Sequence, residues 1–382
     1  MANNIVSKVL EYGLSKSLTI LGWRVKNIIR KKKLPKWRKL YGIIDWLRFR
    51  INKESNVLYA FYDLQVSPAT FDIIPFLVLA EQERIICGCD SLNVVIVPGP
   101  EDGFRGGTIE AYHHNGFKKI DDDYFRSRLR NILVTSCWLI PSCKQITVAG
   151  SRSEAHSLQV NMAKYIFPKE ATIRFPKRYY SLGHVKESMR VSPLPSIQAT
   201  PMAIKYVGNW IKSNSRGRKV ISVTLREASY HPERNSSLKN WSDFLNSLDK
   251  NKYFPVVLRD IEKVFDPIPS EFEGITMFNE AVYNVELRAA IYELSYLNMC
   301  VNNGTSMILE MNKKTRYIYI KVVTPTVSTC TKEWFQSMGI TPGESLPWAS
   351  SFQKYVWEDD KYEIITREFD EMCEKIEKGR AS

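Results

Sequence analysis

The sequence lacks most of the short motifs that announce a chemistry. It has no glycine-rich phosphate loop of the P-loop kind and no GxGxxG after its first apolar strand. HExxH and GxSxG are also missing. Their absence argues against a P-loop kinase, a dinucleotide-dependent dehydrogenase, a zinc protease and a lipase-type hydrolase. No apolar run near the basic N-terminus approaches the roughly 20 residues that cross a bilayer, and no secretory signal is visible. Histidine is scarce, with five in 382 residues. The cysteines, at 87, 89, 137, 143, 300, 330 and 373, are odd in number and scattered through apolar runs. That pattern predicts reduced core thiols in a cytoplasmic protein and not a disulfide framework or a zinc knuckle.

Acid is short in one place. Residues 1–50 hold 13 Lys and Arg against only Glu11 and Asp45, so this arm carries +11 of the net +13. The rest of the chain is nearly neutral, which excludes a general nucleic-acid binder. Within the arm, Leu10, Leu14, Leu18, Leu21, Val25 and Ile28 recur at helical spacing. After the break at Arg30–Pro35, so do Trp37, Leu40, Ile44, Leu47 and Ile51. Two basic amphipathic helices with Trp23, Trp37 and Trp46 suit the surface of an anionic membrane. The plainer alternative is that both stripes pack on protein and the cations are merely solvated.

Beyond the arm the chain alternates between strand-like and helix-like segments. Strands are expected at 56–64, 92–98 and 145–150, with helices at 70–86, 125–138 and 151–167. Residues 168–200 contain Pro168, Pro176, Pro193 and Pro195 and no clean period. Alternation resumes with strands at 219–227, 253–260, 298–301 and 316–323, interleaved with helices, and ends in an acidic helix at 360–378. This pattern predicts an α/β protein made of two parallel, Rossmann-like halves. The divisions are an arm at 1–52, a first half at 53–175, a Pro-rich linker at 176–201 and a second half at 202–382.

In such folds ligands bind beyond the carboxyl ends of the strands. In the second half those ends are polar. One strand runs into Arg226-Glu227 and then Arg234-Asn235, the next into Arg259-Asp260, and a third into Asn302-Asn303-Gly304-Thr305-Ser306. Glu280 and Arg288 belong to the neighbouring segment. Cations, a glycine turn and a new helix N-terminus would together suit a phosphate or sugar hydroxyl. Asn, Gly, Thr and Ser also cap helices routinely, which is the plainer reading of NNGTS. The first half offers Asp63 and Asp102, either of which could act as a general base toward a hydroxyl. Arg105 and Ser151-Arg152 could line the same wall of a cleft. Asp121-Asp122-Asp123 resembles a metal-binding acid run, but it directly precedes a helix, where acids suit the dipole. His113-His114 has no ligand set around it, so no metal is expected.

The layout resembles the GT-B glycosyltransferases, over about residues 56–382. The strand-end Arg226 is similar to the arginine that fucosyltransferase-like members place near the donor phosphates. Two residues earlier, where those members carry His, this chain has Thr224. The segments YDL, TFD, TLRE, RNS, VNNG and WEDD also resemble proteins of bacterial surface-polysaccharide clusters. The resemblance implies a central cleft and a terminal helix crossing back to the first half. It also implies a metal-independent enzyme with no cofactor, whose second half binds a nucleotide-sugar and whose first half binds a glycan or lipid-linked acceptor. Arg226 and the turn Gly304-Thr305-Ser306 would neutralise the donor diphosphate. The basic arm would hold the enzyme on the inner face of the cytoplasmic membrane. Other readings are a nucleotide-sugar epimerase, a pyruvyl transferase, or a scaffold without activity.

Overall fold

The computed structural model describes residues 54–104 and 122–381. The basic arm, Arg105, His113, His114 and Asp121 lie outside these residues, as do the side chains of Asp102 and Asp122.

Two all-parallel sheets carry the fold. The first contains β1 (Glu54–Asp63), β2 (Ser91–Val97), β3 (Cys143–Val148) and β4 (Ala163–Phe167), in the order β3-β2-β1-β4. The second contains β5 (Lys219–Thr224), β6 (Tyr253–Leu258), β7 (Thr276–Met277), β8 (Leu297–Val301), β9 (Tyr317–Ile320) and β10 (Gln353–Val356), in the order β10-β9-β8-β5-β6-β7. The protein is thus α/β with two Rossmann-like parallel sheets. Central strands such as β5 and β8 are buried along nearly their whole length, which is why they read as continuous apolar runs with no alternation.

Three strands were not visible in the sequence pattern. Residues 151–167 are not one helix. The helix Arg152–Asn161 stops and β4 begins at Ala163, with no Gly or Pro between them to mark the change. Strands β7 and β10 have two and four residues, too short for any periodicity to register. Within the Pro-rich stretch, Leu182–Ser188 is helical, started by a reciprocal capping box between Ser181 and His184.

The helix Ile73–Ile86 is buried on all sides from Ile73 to Glu83. Its polar members are satisfied. Gln82 donates to the carbonyls of Ser188 and Ser192, Glu81 pairs with Arg84 and Glu83 with Lys169. One apolar core runs from β1 and this helix through the helices Pro201–Ser215 and Val285–Leu294 to β5 and β6. A second core lies on the opposite face of the second sheet. There Ile365, Phe369, Met372, Cys373 and Ile376 of the terminal helix Tyr362–Ala381 pack with Trp241, Phe244 and Tyr253. The apolar stripe of this helix is therefore buried on the second sheet. All seven cysteines are free thiols, six of them buried.

Candidate anion site at the carboxyl edge of the second sheet

The strand order reverses at one point in the second sheet. From β5 the chain proceeds outward to β6 and β7, then returns to the other side of β5 as β8 and continues to β9 and β10. The gap beyond the carboxyl ends of β5 and β8 is the topological switch point, where open parallel sheets leave room for a ligand. The segments after these two strands are Leu225-Arg226-Glu227 and Asn302 to Ser306, so the structure brings together two of the polar strand ends seen in sequence.

Arg226 is 5 % exposed. Its guanidinium donates to the carbonyls of His231, at 2.8 Å, and Tyr230, and to Oδ1 of Asn235. Burial, and then the neighbouring Arg234 charge, pull its pKa down to about 10. Arg234 reaches across the switch point, its Nη2 donating to Oδ1 of Asn302 at 2.7 Å and to the Asn302 carbonyl at 3.3 Å. Its Nε is buried with no acceptor. Arg288 is 4 % exposed. It sits in the first turn of the helix Val285–Leu294, which Asn284 caps through the amides of Glu286 and Leu287. Arg288 donates to the Ala281 carbonyl at 2.9 Å, to the Tyr292 hydroxyl at 3.2 Å and to Oγ1 of Thr305 at 3.3 Å. Tyr292 in turn bonds Thr224, at the end of β5, at 2.8 Å.

Among the described residues none of these three arginines has a carboxylate within 4 Å. Every acceptor they use is a neutral oxygen. Burying a guanidinium on neutral oxygens alone is costly, and an anion would restore the balance. The excess is local. One strand away, Arg259 is closed in a buried ion pair with Glu227 at 2.6 Å and also donates to the carbonyls of Asp266 and Pro267. Asp260 accepts the amides of Glu227 and Glu262, and burial raises its pKa. These two, with Glu227, serve the sheet edge and are not available to a ligand. Glu280 is exposed at the start of its short helix. Asn235 has both ends of its amide engaged, by Arg226 and by the Ala228 carbonyl.

The turn Asn302-Asn303-Gly304-Thr305-Ser306 is braced largely by its own chain. The helix it opens, Ser306–Glu310, has five residues, and its first amides are used by the chain itself. The Ser306 amide donates to Oδ1 of Asn303, and those of Met307 and Ile308 donate to the carbonyls of Gly304 and Thr305. A Cβ at Gly304 would lie 3.2 Å from the ring of Phe71, so this glycine admits a side chain from the loop after β1.

That contact brings the carboxyl edges of the two sheets together. The carboxylates expected in the first half fall out unevenly. Asp63 is 4 % exposed, and each of its oxygens takes a 2.7 Å bond from Arg152. Asp63 is thus held in a two-pronged ion pair with Arg152. Asp102 ends the turn Pro100–Asp102 at the same edge. Asp72, which sequence reasoning did not single out, directly follows Phe71. Its carboxylate accepts from Oγ1 of Thr70, and burial raises its pKa despite the nearby charges of Arg128 and Arg178. Those two arginines brace the same loop through the carbonyls of Ala69 and Val66. The only sequence signal for Asp72 was its place in TFD, before a helix, where an acid is ordinary.

Fold and site together define an α/β protein of two parallel sheets with a cationic switch point. No protein-family model matches the chain, and no curated protein matches it. Solved structures do show similarity. The glycosyl transferase family 9 protein of Veillonella parvula is 10 % identical, covering 83 % of this chain and 91 % of that one, with a TM-score of 0.48. E. coli ADP-heptose LPS heptosyltransferase II is 8 % identical, covering 84 % and 99 %, at 0.44. The wall teichoic acid polymerase TagF is 10 % identical, covering 98 % and 92 %, at 0.31. Similarities of this size carry no argument about the chemistry of this chain.

Proposed function

We propose that the chain is a glycosyltransferase that moves a sugar from a nucleotide-sugar to a bacterial surface-glycan acceptor. The observation that supports this most is the set of three buried or half-buried arginines, 226, 234 and 288, at the switch point with no carboxylate within 4 Å among the described residues. A diphosphate leaving group supplies the missing negative charge, and it gains charge as the glycosidic bond breaks. Fixed cations beside it favour that change over the ground state. Asn302 and Thr305 orient Arg234 and Arg288 toward the same gap. Asp72, next to the Phe71 ring that meets Gly304, is the candidate for the base that takes the acceptor's proton. Asp102, at the same edge, is the second candidate. The reaction needs no metal in this reading, because the guanidinium groups do the neutralising.

The basic arm would hold the enzyme at the inner face of the cytoplasmic membrane. Among the described residues no helix is long and apolar enough to cross a bilayer. Changing Lys31, Lys32 and Lys33 to Glu in the full chain should weaken binding to anionic vesicles. If it does not, the arm is not a membrane anchor.

Calorimetric titration of the full chain with inorganic pyrophosphate tests the site itself. The expected result is salt-sensitive binding that Arg234→Ala weakens at least roughly tenfold, the scale of one lost charge-assisted contact. A wild-type protein that binds neither pyrophosphate nor any nucleoside diphosphate sinks the reading.

A further inference from the structure

The three arginines account for a charged group and leave unexplained an aromatic surface at the same sheet edge. The segment after β6 exposes Ile261 at 50 %, Phe265 at 87 % and Ile268 at 53 %. The Phe265 ring centroid lies 5.5 Å from that of Tyr283, with the planes at 34°, and Tyr283 is itself 36 % exposed. A phenyl ring left in water forgoes burial that would stabilise the fold. This one is also held in place. The Arg259 guanidinium donates to the carbonyls of Asp266 and Pro267, immediately after Phe265, and Lys263 pairs with Asp266 at 2.8 Å. The Glu262 carboxylate accepts the Ser229 amide at 2.8 Å.

The anchors of this surface are the neighbours of the anion site. Arg259 is tied to Glu227, the residue after Arg226. On the other side Arg288 donates to the carbonyl of Ala281, two residues before Tyr283. The aromatic pair is thus tied through these contacts to the segments that carry Arg226 and Arg288. A ligand with a flat apolar end and an anionic end matches that order.

We propose that Phe265 and Tyr283 form a stacking platform for the base of a nucleoside diphosphate whose phosphates lie on Arg226, Arg234 and Arg288. Stacking on an aromatic side chain uses the π-face common to all bases, so the platform adds affinity without choosing the base. Selection among bases is left to polar groups at the rim. This inference rests on the donor-site reading given above, and deepens it by assigning the part of the donor that the cations do not touch.

The test is a pair of titrations on the full chain and on Phe265→Ala, with UDP, CDP, ADP and GDP on one side and inorganic pyrophosphate on the other. The wild type should bind at least one nucleoside diphosphate about tenfold or more tighter than pyrophosphate. Phe265→Ala should lose roughly 5- to 150-fold for the nucleoside diphosphate, the range for one lost stacking partner. Its pyrophosphate affinity and melting temperature should be unchanged, because the ring is exposed. Phe265→Trp should restore nucleotide affinity. Equal nucleotide binding by wild type and Phe265→Ala, with pyrophosphate still bound, overturns the platform and leaves the anion site standing. Loss of melting temperature in step with affinity would make Phe265 a structural residue and also overturns it. No binding of pyrophosphate or nucleotide by the wild type ends both readings.

Discussion

The carboxyl edges of the two sheets use the same residue types in opposite ways. At the end of β1, Asp63 and Arg152 close on each other with two 2.7 Å bonds, and the charge at that edge is cancelled within the chain. At the ends of β5 and β8, Arg226, Arg234 and Arg288 rest on carbonyls, hydroxyls and two side-chain amide oxygens, with no carboxylate within 4 Å among the described residues. Both arrangements are ordered by hydrogen bonds, so order alone does not separate structure from function. The separating feature is the charge balance. A buried ion pair holds an edge together, whereas a buried guanidinium on neutral oxygens is a fold cost that a ligand can offset.

Four measurements would break or sharpen this contrast. The largest effect is expected where the two edges meet. Asp72→Asn should lower kcat by about 10²–10⁴ if Asp72 is the base, with pyrophosphate affinity retained. A kcat within a factor of a few of wild type would transfer the role to Asp102 or to another acid.

Next, Arg152→Ala strands Asp63 without its partner and should destabilise the fold by about 3–5 kcal/mol. Chemical denaturation of the variant reads this directly, and its pyrophosphate affinity under native conditions should match the wild type. If binding falls while stability holds, the edge of the first sheet is a ligand site after all.

A smaller, pH-dependent effect belongs to Glu310, which is 3 % exposed and accepts from Ser306 in the turn beside Arg288. Burial, the leading cause, pushes its pKa up to about 7 from the ordinary 4.5. The folded state therefore holds this proton more tightly than the unfolded chain. Its contribution to stability is complete below about pH 4.5 and declines as pH rises from there to 7 and above. Glu310→Gln should flatten that decline, which at full extent is of order 3 kcal/mol. Denaturation midpoints of wild type and variant that move in parallel between pH 4.5 and 8 would refute it.

The smallest effect is expected at Gly304→Ala. Its methyl group would lie 3.2 Å from Phe71, so the ring must shift by a few tenths of an ångström. A loss of about 1 kcal/mol or less is expected, with a modest rise in KM as Asp72 moves with its neighbour. A large loss of pyrophosphate affinity in this variant would mean that the glycine faces the ligand and not the ring.

Periodicity alone gave the two α/β halves, because buried parallel strands are apolar runs and their crossover helices are amphipathic. It also pointed to Arg226, Arg234, Arg288 and Asn302, since charge placed just after an apolar strand must meet solvent, a partner or a ligand. It could not show which of those three applies. Arg226 and Arg259 stand in the same local pattern, LRE and LRD, yet among the described residues the first has no carboxylate within 4 Å and the second is closed on Glu227. That outcome depends on which strands become neighbours, and β5 pairs with β6 on one side and β8 on the other only in the folded sheet. Asp63 and Asp72 separate for the same reason. Arg152 lies 89 residues from Asp63 and Gly304 lies far beyond Phe71, so neither meeting has a local signature. Local sequence determined where polar groups leave the core. Tertiary pairing over long separations decided which of them were neutralised and which were left charged.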